Sequence, residues 1–121
     1  MKDIDVIVTR KDELCADLFF LTSKSKKAYN LIFNFVIPWD SELKLQAVFK
    51  PQYCNSVVVD LDIDMGCEIP DEVLSKPGIL GIGLRGIVPI SEQELTPNST
   101  QSYYIIKNTP YLYIPIVQGS F

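Results

Sequence analysis

The stretch Tyr29-Asn30-Leu31-Ile32-Phe33-Asn34-Phe35-Val36 decides the class of fold. Tyr29, Leu31, Phe33 and Phe35 share one parity, and Asn30, Ile32, Asn34 and Val36 share the other. A period of two in aromatic and branched residues is what a half-buried strand requires, because successive side chains leave opposite faces of the pleat. Downstream, Pro38-Trp39-Asp40 supplies a turn. Leu43, Leu45, Ala47 and Phe49 then alternate with Lys44, Gln46 and Val48 until Pro51 closes a second strand. Val57, Val59, Leu61, Ile63 and Met65 repeat the pattern with Asp60, Asp62 and Asp64 between them, and Met65-Gly66 carries turn chemistry ahead of Cys67-Glu68-Ile69. Upstream, Ile4, Val6 and Val8 alternate with Asp5 and Ile7. Lys11-Asp12-Glu13 breaks that run, and a further short strand is expected within Leu14 to Phe20. The polar stretch Thr22 to Lys27 reads as a loop or hairpin tip.

One helical signal stands against these strands. Pro70-Asp71-Glu72-Val73-Leu74-Ser75-Lys76-Pro77-Gly78 places proline at a first helical position, acids in the first turn, lysine in the last and Pro-Gly as a stop. It has room for one or two turns, with Val73 and Leu74 tucked inward. Ile79-Leu80-Gly81-Ile82-Gly83-Leu84-Arg85-Gly86-Ile87 follows as a strand with Gly81 and Gly83 on its outward face, a pattern that marks close approach, a bend or a bulge. A polar loop over Ser91 to Ser102 leads to two apolar segments, Ser102 to Ile106 and Tyr111 to Val117. Pro115 is expected to restrict the latter to a sheet edge or an extended arm. The 121 residues fit one domain. The expectation is an all-β fold, an antiparallel β-sandwich of about eight strands with one short helix, spanning 1–121 with an extended C-terminal arm at about 109–121.

Composition narrows the chemistry. Eleven Lys and Arg against fifteen Asp and Glu give a net charge of −4, the wrong sign for neutralising phosphates, so nucleic acid is not expected as a partner. The absence of histidine removes Ser-His-Asp and Cys-His arrangements and histidine-based zinc sites. No apolar run approaches the length of a membrane span, and Met1 to Val6 lacks a signal peptide's apolar region, so a soluble, unexported chain without membrane contact is expected. Cys15, Cys54 and Cys67 are odd in number and never in a CxxC pair. They read as reduced, buried small hydrophobes, with Cys67 near the helix start as the alternative reactive thiol.

Each remaining motif has a plain structural reading. Asp60, Asp62 and Asp64 before Gly66 suggest calcium, but the glycine falls one residue late for an EF-hand and the alternation explains the acids as a strand's solvated face. The same carboxylates, or Asp71 with Glu72, are poorly placed as an acid and base pair; the chain is read as non-enzymatic, with no cofactor and no metal. Asn98-Ser99-Thr100 matches a glycosylation sequon in a polar loop. Lys24, Lys26 and Lys27 are the one basic cluster, read as a solvated tip. Trp39, Tyr103, Tyr104, Tyr111 and Tyr113 belong to residue types that fill cores, anchor interfaces or stack on sugars. The last segment is too apolar for a free tail, so it is expected to lie on its own sheet or on a partner; for the latter case Tyr111, Tyr113, Ile114, Ile116 and Phe121 are the expected partner-binding residues.

The run from Met65 to Gly86 resembles a segment of tail and baseplate proteins of phages and prophages of Gram-positive bacteria. It is similar to the β-sandwich domain at the N-terminus of their upper baseplate proteins. The shared features are Gly66-Cys67-Glu68-Ile69-Pro70, a short acidic helix ending in Pro77-Gly78, and a glycine-spaced strand ending at Gly86. Asn108-Thr109-Pro110-Tyr111 followed by Gln118-Gly119 resembles the domain's exit, and the likeness covers about a third of the chain. It implies a docking module that fixes a receptor-binding organelle to the tail, made in the host bacterial cytoplasm and located in the virion tail. Longer members continue into coiled coil or fibre, whereas this sequence stops at Phe121. The partners implied are other tail or baseplate proteins, with a homo-oligomer compatible with tail symmetry. The alternative, from the surplus aromatics on a sandwich, is a module that binds host cell-wall polysaccharide.

Overall fold

The computed structural model describes residues 2–17, 19–26, 28–90 and 102–119. Lys27, the Asn98-Ser99-Thr100 sequon, nearly all of the polar loop before Ser102, and Phe121 lie outside the described residues. The fold is all-β, with two curled sheets packed as a sandwich. Ten strands are described: β1 (Lys2–Val8), β2 (Leu14–Cys15), β3 (Leu21–Thr22), β4 (Tyr29–Phe35), β5 (Lys44–Pro51), β6 (Val57–Asp60), β7 (Gly66–Glu68), β8 (Gly78–Pro89), β9 (Tyr103–Asn108) and β10 (Leu112–Val117).

One sheet has the order β2-β1-β4-β7; the other has the order β3-β10-β8-β5-β6, with β9 also paired to β8. The sequence expectation of wholly antiparallel pairing needs correction, because β1 runs parallel to β4 from Lys2↔Tyr29 to Val8↔Phe35, and β3 runs parallel to β10. Between β1 and β4 the chain leaves the first sheet, contributes β3 to the second and returns. A crossover of that kind delivers strands in parallel. Over its described residues, Thr22 to Lys26, the stretch read as a loop or hairpin tip is therefore part of a passage between sheets, and Thr22, at the end of β3, is fastened to the Tyr29 hydroxyl by its N–H at 3.1 Å and its own hydroxyl at 3.0 Å.

The core forms where the two inner faces meet. Val6, Val8, Leu31 and Phe33 from the first sheet join Ala47, Phe49, Leu80, Ile82 and Leu84 from the second, closed by Leu21, Ile69, Val73 and Leu74. The alternating residues that defined β4 and β5 are thus the buried ones, and burial of such side chains is the main favourable contribution to folding. The expected helix is a single 3-10 turn over Asp71–Leu74 that inserts Val73 and Leu74 into this core. Pro70 precedes it, and Pro77-Gly78 stops it.

Three further expectations are revised. The strand read through Met65 ends at Asp60, because the Asp62 Oδ1 accepts from the N–H of Asp64 at 2.9 Å and of Gly66 at 3.0 Å, making a side-chain-capped turn that carries the chain to the other sheet. Met65 takes φ 63 there. Cys67 is buried as expected, but Cys15 and Cys54 are exposed. The C-terminal segment is not an extended arm. Leu112–Val117 is β10, held between β8 and β3. Pro115 fits inside the sheet because its partner Ile79 turns its N–H away from β10, to the Gln52 side chain at 3.0 Å. In an antiparallel pair both residues turn the same way, so proline's missing donor faces away from β8, just before β3 begins pairing at Ile116.

Candidate functional site

β8 is the twelve-residue spine of the larger sheet. One flank is β5 along its length; the other is shared by β10 at the start and β9 at the end. Since β9 and β10 both run antiparallel to β8, Tyr103 to Val117 is in effect one long strand interrupted at Thr109-Pro110-Tyr111. Three residues there oppose two, Leu84 and Gly83, between the pairs Asn108↔Arg85 and Leu112↔Ile82. This is a bulge, and bulges re-aim side chains.

The re-aimed residue is Tyr111. Leu80, Ile82 and Leu84 face the core, which leaves Ile79, Gly81, Gly83 and Arg85 on the outer face. A Cβ at Gly81 would come within 3.3 Å of ring carbons of both Tyr111 and Tyr113, and one at Gly83 within 3.2 Å of two ring carbons of Tyr111. The tyrosines therefore lie against bare backbone. Their ring centroids are 6.2 Å apart with planes inclined at 45°, and Lys50 Nζ stands 5.6 Å from the Tyr111 ring centroid. The sequence reading that something sits close to the glycine face identified the floor; the structure supplies its occupants.

Beside the tyrosines runs a polar strip. Arg85 donates from Nε to Gln46 Oε1 at 2.9 Å and from Nη2 to the Tyr103 hydroxyl at 3.1 Å. Gln46 Nε2 donates to Asp60 at 2.8 Å, and Lys44 pairs with the same carboxylate at 3.2 Å. The Gln46 hydrogen bond, then that of Lys44, holds the Asp60 carboxyl below its ordinary range. Between strip and tyrosines is a depression of about 170 Å³ bordered by Val48, Gly83, Arg85, Ile105, Asn108 and Tyr111. Apolar exposure continues outward at Ile79, Tyr113 and Val117 on this face and at Tyr104, Ile105 and Ile106 on β9. The side of β9 away from β8 pairs with no strand among the described residues.

Of the five expected partner-binding residues, the structure brings Tyr111 and Tyr113 together on this face. Tyr113 is 63% exposed and Tyr111 36%. Ile114 and Ile116 are core residues and are withdrawn as contact residues: at 6% and 4% exposure they hold β10 onto the sandwich. Phe121 is outside the described residues. Trp39 is buried, donating from Nε1 to Asp12 at 2.9 Å and meeting Phe35 edge-on. Arg85, Gln46 and Lys50 were not anticipated, although Arg85 shares the parity of Gly81 and Gly83 and so declares its face. Asp60, Asp62 and Asp64 do not converge. Asp60 belongs to the polar strip and Asp62 to its turn, and no cluster of metal-ligating side chains is found among the described residues.

No family model matches the chain, and no curated protein matches it.

Proposed function

We propose that the protein is a non-enzymatic docking module of a phage or prophage tail, acting in baseplate assembly through protein–protein contacts. The resemblance over Met65 to Gly86 motivates the setting. The observation that carries the docking role is the exposed tyrosine pair seated on a two-glycine floor, flanked by Ile79 and Val117. Tyrosines held by packing contribute large, already ordered contact area, and such residues dominate interface energetics. The polar strip of Arg85, Gln46 and Asp60 serves as the rim that fixes orientation. In this reading the chain works in the virion tail, after synthesis in the bacterial cytoplasm, with other tail proteins as its partners.

Tyr113→Ser, which removes exposed area without touching the core, is the test. Against co-expressed tail proteins from the same phage or prophage genome, affinity is expected to fall by about thirtyfold, the size of an interface hot spot. An unchanged affinity overturns the assignment of this face, and absence of the chain from purified virions by mass spectrometry overturns the setting.

A second reading follows from the depression beside Tyr111. An aromatic wall with Arg85 and Asn108 at its border can stack a sugar ring and bind its hydroxyls. Titration with cell-wall polysaccharide, followed through tyrosine resonances, separates the two readings. Saturable shifts at Tyr111 and at the neighbouring Tyr113, with the Tyr113 shift lost in Tyr111→Ala, establish glycan binding.

A further inference from the structure

At the end of the sandwich where β5 begins, beyond the Lys44–Asp60 end of the polar strip, the sheets leave a mouth of about 470 Å³ whose lining includes neither Tyr111 nor Tyr113. Its walls are apolar: Phe35, Trp39, Leu43, Leu45, Leu61 and Met65 all line it. Asp40, Asp60 and Asp62 also line it, and all three are exposed, which places them at its rim. Lys44 is the sole cation of the lining and is occupied by Asp60. Asp40 and Asp62 have no cationic partner among the described residues. Each uses Oδ1 to accept backbone N–H groups of its own turn, so these carboxylates are fixed in place by the fold. Three acids against one lysine leave the rim with a surplus of two negative charges.

We propose that this mouth is a socket for a cationic side chain, lysine or arginine, carried next to a large apolar residue on a segment of a partner protein. The volume lies in the range of ordinary ligand sites, and the apolar walls take a side chain's hydrocarbon body. The fixed, unpaired rim carboxylates then meet the charge at the tip, as amphipathic side chains arrange themselves at an interface. An anionic segment would gain from the walls but meet like charge at the rim. The inference rests on the docking reading only in taking a protein segment as the occupant; it needs no contact at the tyrosine face.

Trp39 is the chain's one tryptophan and lines the mouth, so its fluorescence reports occupancy directly. The probe is the capped tripeptide Phe-Arg-Leu, with a citrulline twin of matching shape but no charge and a glutamate twin of opposite charge. Saturable change in Trp39 emission is expected with the arginine peptide below about 10 mM, weakening with salt. The citrulline twin is expected to bind about three- to tenfold more weakly, the sum of two exposed charge contacts. Asp40→Asn with Asp62→Asn, which keeps the turn acceptors, should bring the arginine peptide to the citrulline level. Equal binding of all three peptides, or no saturable response, overturns the socket. Equally tight binding of free phenethylamine reassigns the mouth to small organic amines and overturns the partner-segment occupant. Repeating the titration in Tyr113→Ser distinguishes the two proposals, since loss of docking through the tyrosine face leaves the Trp39 response intact.

Discussion

Thr109→Val is a small change at the point where the long C-terminal strand bulges and the candidate face begins. Thr109 donates its N–H to the Leu84 carbonyl at 2.9 Å, and its hydroxyl accepts from the Leu84 N–H at 3.0 Å. Where the long C-terminal strand bulges, a side-chain oxygen thus stands in for the strand acceptor that regular pairing would supply. Valine keeps the volume and the β-propensity but deletes that acceptor. Leu84 is 1% exposed and Thr109 9%, so water does not replace it. A buried N–H left without a partner costs about 1–3 kcal/mol. For 121 residues, the unfolding entropy is about 0.25 kcal/mol per kelvin, so each kcal/mol is worth about 4 °C in Tm. Thermal unfolding should therefore show Thr109→Val lower by about 4–12 °C, while Thr109→Ser, which retains the hydroxyl, stays within about 4 °C of the parent. A valine variant within about 2 °C of the parent would refute the claim that this hydroxyl completes the ladder.

The glycine floor gives a sign test. Gly83→Val is expected to destabilise the parent, because its Cβ would meet Tyr111 at 3.2 Å. With Tyr111→Ala already present the same change should stabilise by up to about 1 kcal/mol through better strand propensity, and the same sign in both backgrounds would show that Tyr111 does not occupy the floor. Iodoacetamide at mildly alkaline pH should alkylate Cys15 and Cys54 in the folded protein and Cys67 only after unfolding, read by mass; equal labelling of all three would contradict the burial of Cys67. Burial first, and then the Asp62 charge, pushes the Cys67 thiol up from 9.0 to about 12. The folded protein then holds this proton more tightly than the unfolded chain, so its stabilising effect is complete below about pH 9 and is lost as pH rises toward 12. Denaturation midpoints of Cys67→Ala should fall less steeply over that window than those of the parent. Deleting residues 111–121 removes Ile114 and Ile116 from the core and should abolish cooperative unfolding by circular dichroism, whereas a folded, soluble product would contradict the placement of β10 within the sheet.

The fold was legible where one face of a strand is buried and the other wet. Tyr29 to Phe35, Lys44 to Pro51 and Ile4 to Val8 declare themselves because core contact selects every second residue, and the all-β sandwich follows from them. Parallel pairing of β1 with β4 was not legible, since alternation records which face is inward and carries no sign of a neighbour's direction. The misread run was Leu61 to Met65. Its apolar parity continues past Asp60, but the Asp62 side chain captures the backbone N–H groups of Asp64 and Gly66, and local capture overrides periodicity. Pro115 misled for a similar reason. Its missing donor bars only one side of a strand, and which side is free depends on register.

Half of the candidate site was legible for the opposite reason, a local cost without visible compensation. Glycine in a strand interior forfeits about 0.5–1 kcal/mol relative to alanine, and β8 carries two on its outer face in the middle of the larger sheet. A strand under selection for stability alone would carry branched residues there, facing Val48 and Lys50 across the ladder. The structure shows what returns the loss: the rings of Tyr111 and Tyr113 occupy the space that two side chains would fill. Packed on backbone, a ring surrenders little further freedom when something binds its open face, so an exposed tyrosine here is better ordered than one on a flat residue-lined sheet. Tyr111 gets there only through the bulge at Thr109-Pro110, which adds the residue that puts it over Gly81 and Gly83. Glycines, bulge and tyrosines thus form one device distributed over β8 and the β9–β10 junction. The parity of a single strand could reveal its floor but not the residues that rest on it.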